Sequence, residues 1–202
     1  MKRIIALLAT AGLLLLTGCS QVGVAASVGD VKITQATVQN SINTVLAERA
    51  KISTTGMQLE TGETLNRSQL RFHLMRTLLG DVAKDEKITV SKAEIDARRE
   101  SIIKQVNGAA QLPKALVGAG IASTDLDNYI ELIIISEKIS QALAASGVAQ
   151  ANVGMAIQKM IVTEAAKLKV VINPRYGKWN SATGDIVSAD TTKSAVTPAK
   201  TP

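Results

Sequence analysis

One Phe, one Trp, two Tyr and one Cys among 202 residues leave this chain mostly Leu, Ile, Val and Ala with which to build a core. With a single thiol no disulfide can close within the chain, so packing must supply its stability. An aliphatic core of this kind favours helices. The apolar periodicity agrees. Val38, Ile42, Val45 and Leu46 mark one helical face behind Thr34, an N-cap candidate with Ile33 and Val38 as its hydrophobic staple. The Thr-rich stretch 52–64 reads as a loop, after which Asn66 and Gln69 have capping-box spacing before a stripe of Leu70, Leu74, Leu78, Leu79 and Val82. Val90-Ser91-Lys92-Ala93-Glu94-Ile95 is the clearest helix start: Ser91 caps, Glu94 reaches back and Val90 faces Ile95. That helix stops at Asn107-Gly108.

A short apolar segment over 112–117 follows, broken by Gly118 and Gly120. Ser123 opens a long helix containing Leu126, Ile130, Ile133 and Ile134, widened by Leu132 and Ile135 until nearly every side is apolar. Ser146-Gly147 separates it from a last helix over 148–168. Gly29-Asp30 is a turn signal between two short apolar runs, and the β-branched segment 169–173 reads as a strand that pairs with this hairpin near Val28. The expected fold is mainly α: one domain of about five to six helices, with a small β element joining its N- and C-terminal ends.

The N-terminus carries Lys2 and Arg3, an apolar run over 4–16, and Leu16-Thr17-Gly18-Cys19. A basic start, a short apolar core and small residues at the cut make a secretory signal peptide, and the run is too short to span a bilayer comfortably. The cut ending on cysteine resembles the lipobox of bacterial lipoproteins. That resemblance implies a lipidated Cys19 at the head of the mature chain and attachment to the outer leaflet of the cell membrane, or to an outer membrane where one exists. The expected organisation is a signal peptide over 1–18, a lipidated tether over 19–26, the helical domain over 27–180, and a polar, disordered tail over 181–202.

The formal charge is +6, and removing Lys2 and Arg3 leaves about +4, spread without a basic block. Nucleic acid is therefore not an expected partner. No cofactor or metal is expected either: Gly118-Ala119-Gly120 lacks the rest of a dinucleotide fingerprint, and no ligand cluster has familiar spacing. Glu94 with Asp96, and Asp125 with Asp127, stand two apart and so do not share a helix face. The single histidine, His73, reads as a surface or packing residue, and an enzyme is not expected.

The order of segments carries a resemblance. Ala26-Ser27-Val28-Gly29-Asp30-Val31-Lys32-Ile33-Thr34 resembles the strand-turn-strand that opens the SurA and PrsA family of extracytoplasmic chaperones. Lys87-Ile88-Thr89-Val90-Ser91-Lys92-Ala93-Glu94-Ile95-Asp96 is similar to that family's junction between two helices. Residues 116–139 are similar to its next turn and long apolar helix, and Val171-Ile172-Asn173-Pro174-Arg175-Tyr176-Gly177-Lys178-Trp179 resembles the ending of related chaperone-like domains. Family members usually carry a parvulin-type prolyl isomerase domain, which would enter between Ala144 and Val148; here only Ser146-Gly147 stands there. The resemblance implies a SurA-N-like chaperone module without isomerase activity.

Its implied partners are unfolded or partly folded exported polypeptides, bound at an adaptable apolar surface. Met57, Met75, Met155 and Met160 are candidate client contacts, since thioether side chains adapt to varied shapes; Met75 and Met160 read rather as core residues, which leaves Met57, in the polar loop, as the better contact. Asn173, Pro174, Arg175, Tyr176, Gly177 and Trp179 read as a structural motif that ends the strand and pins the C-terminal segment to the helices. The alternative is a partner-specific assembly lipoprotein of the cell envelope. A small-solute-binding lipoprotein would need alternating strands and helices, and the pattern lacks them. Oligomeric state is not legible in the sequence.

Overall fold

The computed structural model describes residues 22–189. Cys19, the expected signal peptide and residues from 190 onward lie outside the described residues.

The chain opens with a hairpin of β1 (Val24–Val28) and β2 (Val31–Thr34). Gly29 makes its turn with φ of 56°, a left-handed conformation that glycine adopts without steric cost. The Gly29 N–H donates to the Leu168 carbonyl at 2.6 Å, so this turn is tied to the far end of the domain. The expected tether is shorter than residues 19–26: Ala25 and Ala26 are already strand residues and fully buried. They are small because β1 is the middle strand, with a neighbour on each side and helices above it.

Six helices follow among the described residues. They are α1 (Gln35–Arg49), α2 (Gly62–Asp85), α3 (Lys92–Gln105), α4 (Leu112–Ala119), α5 (Leu126–Ala145) and α6 (Gln150–Lys167). Thr34 caps α1, its side chain accepting the Thr37 N–H at 3.0 Å, while Ile33 and Val38 enter the core as a staple would. Ser91 and Glu94 form a complete capping box on α3. α2 differs from expectation. It begins at Gly62 behind Thr61, which places Asn66 inside the helix instead of at its cap. Burial of Leu65 in the main core draws the extra turn into the helix, and Glu63 suits its positive N-terminal end. A 3-10 turn over Ser123–Asp125 precedes α5, so the regular helix starts later than Ser123.

The core has three regions. The sheet packs on α1 and α2 through Val28, Val38, Val45, Leu70, Leu74 and Leu78. The second half of α2 meets α5 and α6 through Leu79, Val82, Ile135 and Ile139. The first half of α5 meets α4 through Leu116, Leu126, Ile130 and Ile134, with Ile95 and Ile102 of α3 packed against them. α5 is enclosed: residues 128–140 include none that is exposed. α3 is the opposite case, with no buried residue. Ion pairs Arg98–Glu137, Arg99–Asp127 and Lys138–Glu94, the last at 2.5 Å, hold it to α5.

After α6 the chain returns as β3 (Val171–Ile172), antiparallel to β1, giving the order β2-β1-β3. The architecture is mainly α, with a small β element that joins the two ends of the domain. A 3-10 turn over Pro174–Tyr176 leads to a second hairpin, β4 (Lys178–Asn180) with β5 (Asp185–Val187). This hairpin corrects the expectation of a disordered tail from residue 181. Ile186 is buried in the main core, and Asp185 is gripped by Arg71 of α2 at 2.6 Å, so two residues in a polar stretch anchor the strand.

Candidate functional site

Two concave regions stand out. The first lies where the ends of α2 and α5 meet α6. Lys87 terminates α2 with φ of 56°, and the Ile88 N–H donates back to the Ala83 carbonyl at 2.7 Å. α5 ends the same way, with Val148 donating to Leu143 at 3.0 Å. Both are helix C-caps in which an apolar residue folds back onto its own helix. Between them open cavities of about 380 Å³ and 140 Å³ that share Glu86, Leu143 and Met160. Val82, Ala156, Ile88 and Ile139 supply apolar wall. The rim is charged. Lys167 bonds Asp85 at 2.8 Å and Glu164 at 3.1 Å, and these carboxylates raise the Lys167 pKa above its ordinary value.

The second region is a cavity of about 360 Å³ between α2 and the turn that leads from α4 into α5. Phe72 and Tyr129 line it, their ring centroids 6.3 Å apart and tilted by 37°. Gln69 of α2 fixes the α4 end by donating to the Gly120 carbonyl at 2.8 Å. Asp125 contributes a half-buried carboxylate. Behind it, the Ser41 hydroxyl donates to Asp125 Oδ2 at 2.5 Å and lies 2.9 Å from His73 Nε2. A hydroxyl that donates to the carboxylate must accept from the ring, so neutral His73 carries its proton on Nε2. Serine thus stands between imidazole and carboxylate, which is not the order of a nucleophilic triad, where the imidazole stands between. Burial lowers the His73 pKa below its ordinary 6.5, with the nearby Asp125 charge opposing and Arg76 reinforcing the shift.

The candidate methionines do not share one surface role. Met160 packs against the core cluster of α2 and α5 and lines both cavities of the first region. Met75 packs against the main core. Met57 sits half-buried in the loop between α1 and α2, and Met155 on α6 is 64% exposed. The C-terminal motif forms the closing joint of the domain. Asn173 caps the turn Pro174–Tyr176, Tyr176 is buried, and Gly177 leads into β4, where Trp179 pairs with Ile186. Arg175 is exposed, and its backbone N–H donates to Asn173 Oδ1 at 3.1 Å.

Reading the sequence alone missed the second cavity and the Ser41–His73–Asp125 chain. These residues come from three separate helical segments, and no spacing rule joins them. The carboxylates two apart part company as helix geometry requires: Asp125 meets Ser41, whereas Asp127 meets Arg99 of α3. Among the described residues, no group of three His, Cys, Asp or Glu is placed to hold a metal, and no helix is long and apolar enough to cross a membrane.

The sequence matches the SurA-like N-terminal domain family over residues 1–140, a stretch that ends within α5; α6 and the closing strands lie beyond it. No curated protein and no solved structure matches the chain. With the match covering more than half of its length, and with its mainly helical architecture, the chain belongs to the SurA-like N-terminal domain family.

Proposed function

We propose that this protein is a lipid-anchored, extracytoplasmic holdase for unfolded exported polypeptides, without prolyl isomerase activity. Membership of a chaperone-type family gives the class. The observation that carries the reading is the groove where the C-terminal ends of α2 and α5 meet α6: apolar, built on Leu143 and Met160, and rimmed by charge. Shallow apolar contact lined by a flexible thioether suits segments of varied sequence. The turn between α5 and α6 is closed by three local backbone bonds, from Ser146, Gly147 and Val148, each at 3.0 Å. It therefore passes directly from one helix to the next, at the point where family members with isomerase activity carry their extra domain. Anchoring through Cys19 would keep the groove near the bilayer, where exported chains emerge. Two or more acyl chains would make that attachment stable, at about 0.8 kcal/mol per buried CH₂.

The test titrates purified protein against several unrelated, chemically unfolded clients and follows their aggregation by light scattering. Suppression across clients near stoichiometric ratio supports a general holdase. No suppression of any client overturns it in favour of a partner-specific lipoprotein. Cys19→Ala tests the anchor separately: the variant should leave the membrane fraction or remain unprocessed, and normal processing with retained attachment would refute lipidation.

A further inference from the structure

The scarcity of aromatic residues makes their placement informative. The single Phe and one of the two Tyr line the same cavity, between α2 and the start of α5. Two carboxylates, Glu60 and Asp125, line it with them, and Arg71 is its one cationic lining residue. Arg71 is already engaged, binding Asp185 through Nε at 2.6 Å and through its terminal nitrogen at 2.8 Å. Asp125 has no ion-pair partner among the described residues; its side chain accepts from the Ser41 hydroxyl alone. The Glu60 side of the cavity is held by its backbone, whose carbonyl accepts from Arg49 of α1 at 2.6 Å, while no bond to its carboxylate is formed among the described residues. The chain as a whole is basic, so this cavity runs against the net charge.

Aromatic faces beside an unpaired carboxylate, in a space of about 360 Å³, match one kind of side chain. A long apolar stem can lie along Phe72 and Tyr129, with a cation at its tip drawn to the ring faces and to the carboxylate. An acidic side chain meets repulsion, and a purely aliphatic one leaves the Asp125 charge unanswered. We propose that this cavity receives a lysine or arginine side chain of a bound polypeptide, with Phe72 and Tyr129 flanking the stem and Asp125 facing the charge. The proposal rests on the holdase reading and adds to it a preference for basic residues near the apolar segments that the groove takes.

The experiment measures binding of labelled peptides to the full-length protein by fluorescence anisotropy. The peptides share one apolar, extended sequence and differ at one central position, which is Lys, Arg, norleucine or Glu. The Lys and Arg peptides should bind about fivefold tighter than norleucine, with Glu weakest. Raising salt should shrink the gap. Asp125→Asn and, independently, Tyr129→Leu should each reduce the preference while binding of the norleucine peptide persists. Thermal melting of both variants identifies any that fails to fold, and the other then decides. Equal binding of all four peptides, or a Lys preference unchanged in the folded variants, overturns the basic-side-chain site and leaves the holdase reading intact. No binding of any peptide overturns both.

Discussion

Ala26 in β1 lies opposite Ile172 in β3, so the first and last parts of the helical domain are partners in one antiparallel ladder. Asn173, the next residue, reinforces the joint. Its backbone N–H donates to the Ala25 carbonyl at 2.9 Å, and its side-chain amide donates to the Val24 carbonyl at 3.0 Å. Its Oδ1 also accepts the Arg175 N–H, starting the turn that buries Tyr176. Asn173→Ala removes both side-chain bonds and should cost about 1–2 kcal/mol. Asn173→Asp keeps the cap acceptor but sets a carboxylate oxygen against the Val24 carbonyl, so it should also melt below the parent. Thermal melts followed by circular dichroism check both losses; an alanine variant melting with the parent would remove the clamp from the account.

Gly177 predicts a sharper loss. Its φ is 125°, and a Cβ built there would overlap the Val187 carbonyl oxygen of β5. Gly177→Ala must therefore displace backbone in the second hairpin as well as strain its own, and should cost at least about 2 kcal/mol. Gly154 provides the contrast. It sits within α6 at ordinary φ, with nothing near an added Cβ. Gly154→Ala should stabilise by about 0.4–1 kcal/mol. Denaturant titration of both variants gives the signs directly.

His73 makes stability depend on mild acid. Burial lowers its folded pKa below 6.5, against the pull of Asp125. The unfolded chain therefore takes up the proton first as pH falls. Stability from neutral His73 is complete above about pH 6.5 and declines below it, until the folded state is protonated as well. His73→Gln keeps a donor for Ser41 but does not titrate. Midpoints of urea unfolding between about pH 7.5 and 5.5 should slope downward for the parent and flatten in the variant. Parallel slopes would show that other groups govern this window.

Where local chemistry decides, the sequence was legible. Thr34 and Ser91 announce their helices because a cap and its staple are neighbours in the chain. The closing strand was readable from the β-branched run around Val171. The start of α2 was not, because Leu65 gains its reason to be helical only from the core it enters. The β4–β5 hairpin was lost for a similar reason: Ile186-Val187 is only a short aliphatic pair among small and polar residues until the core and Arg71 are in place. Of the candidate contacts, Met75 and Met160 both pack against the core as partly buried side chains on apolar helix faces, and Met160 alone of the two also lines the apolar groove. Helical spacing gives the face, and only the assembled helices reveal where two of them part to leave a cavity.

Acid should loosen α3 before the rest of the fold. Glu94 is held at a pKa of about 2, chiefly by Lys138, then by the Ser91 N–H and hydroxyl. In the unfolded chain it titrates near 4.5. Its contribution is therefore present above about pH 4.5 and lost as pH falls from there toward 2. Since α3 buries no residue, the loss should appear as local opening. Hydrogen exchange read across Lys92–Gln105, after correction for the intrinsic pH dependence of exchange, should rise over this window ahead of exchange in α2. Ser91→Ala, which removes the cap at about 1 kcal/mol, should raise α3 exchange at neutral pH as well. Exchange that rises together in both helices would place α3 in the main cooperative unit.

The groove makes Met160 and Met155 unequal, although they lie on the same helix. Met160 reaches into both cavities, whereas Met155 points into solvent at 64% exposure. A charge at 160 would put a carboxylate against Leu143 and among Asp85, Glu86 and Glu164, with Lys159 the one cation lining the same cavity. Met160→Glu should weaken capture of unfolded clients by about tenfold or more, as loss of a buried apolar contact plus like-charge repulsion requires. Met155→Glu should leave the melting temperature unchanged and weaken capture less. Met160→Leu keeps the apolar volume and should retain most of the activity, which separates lost contact from a fold disturbed by charge. The aggregation assay on the three variants, each checked for an intact thermal transition, decides the matter. Full activity in a folded Met160→Glu would move client binding away from the groove where the ends of α2 and α5 meet α6.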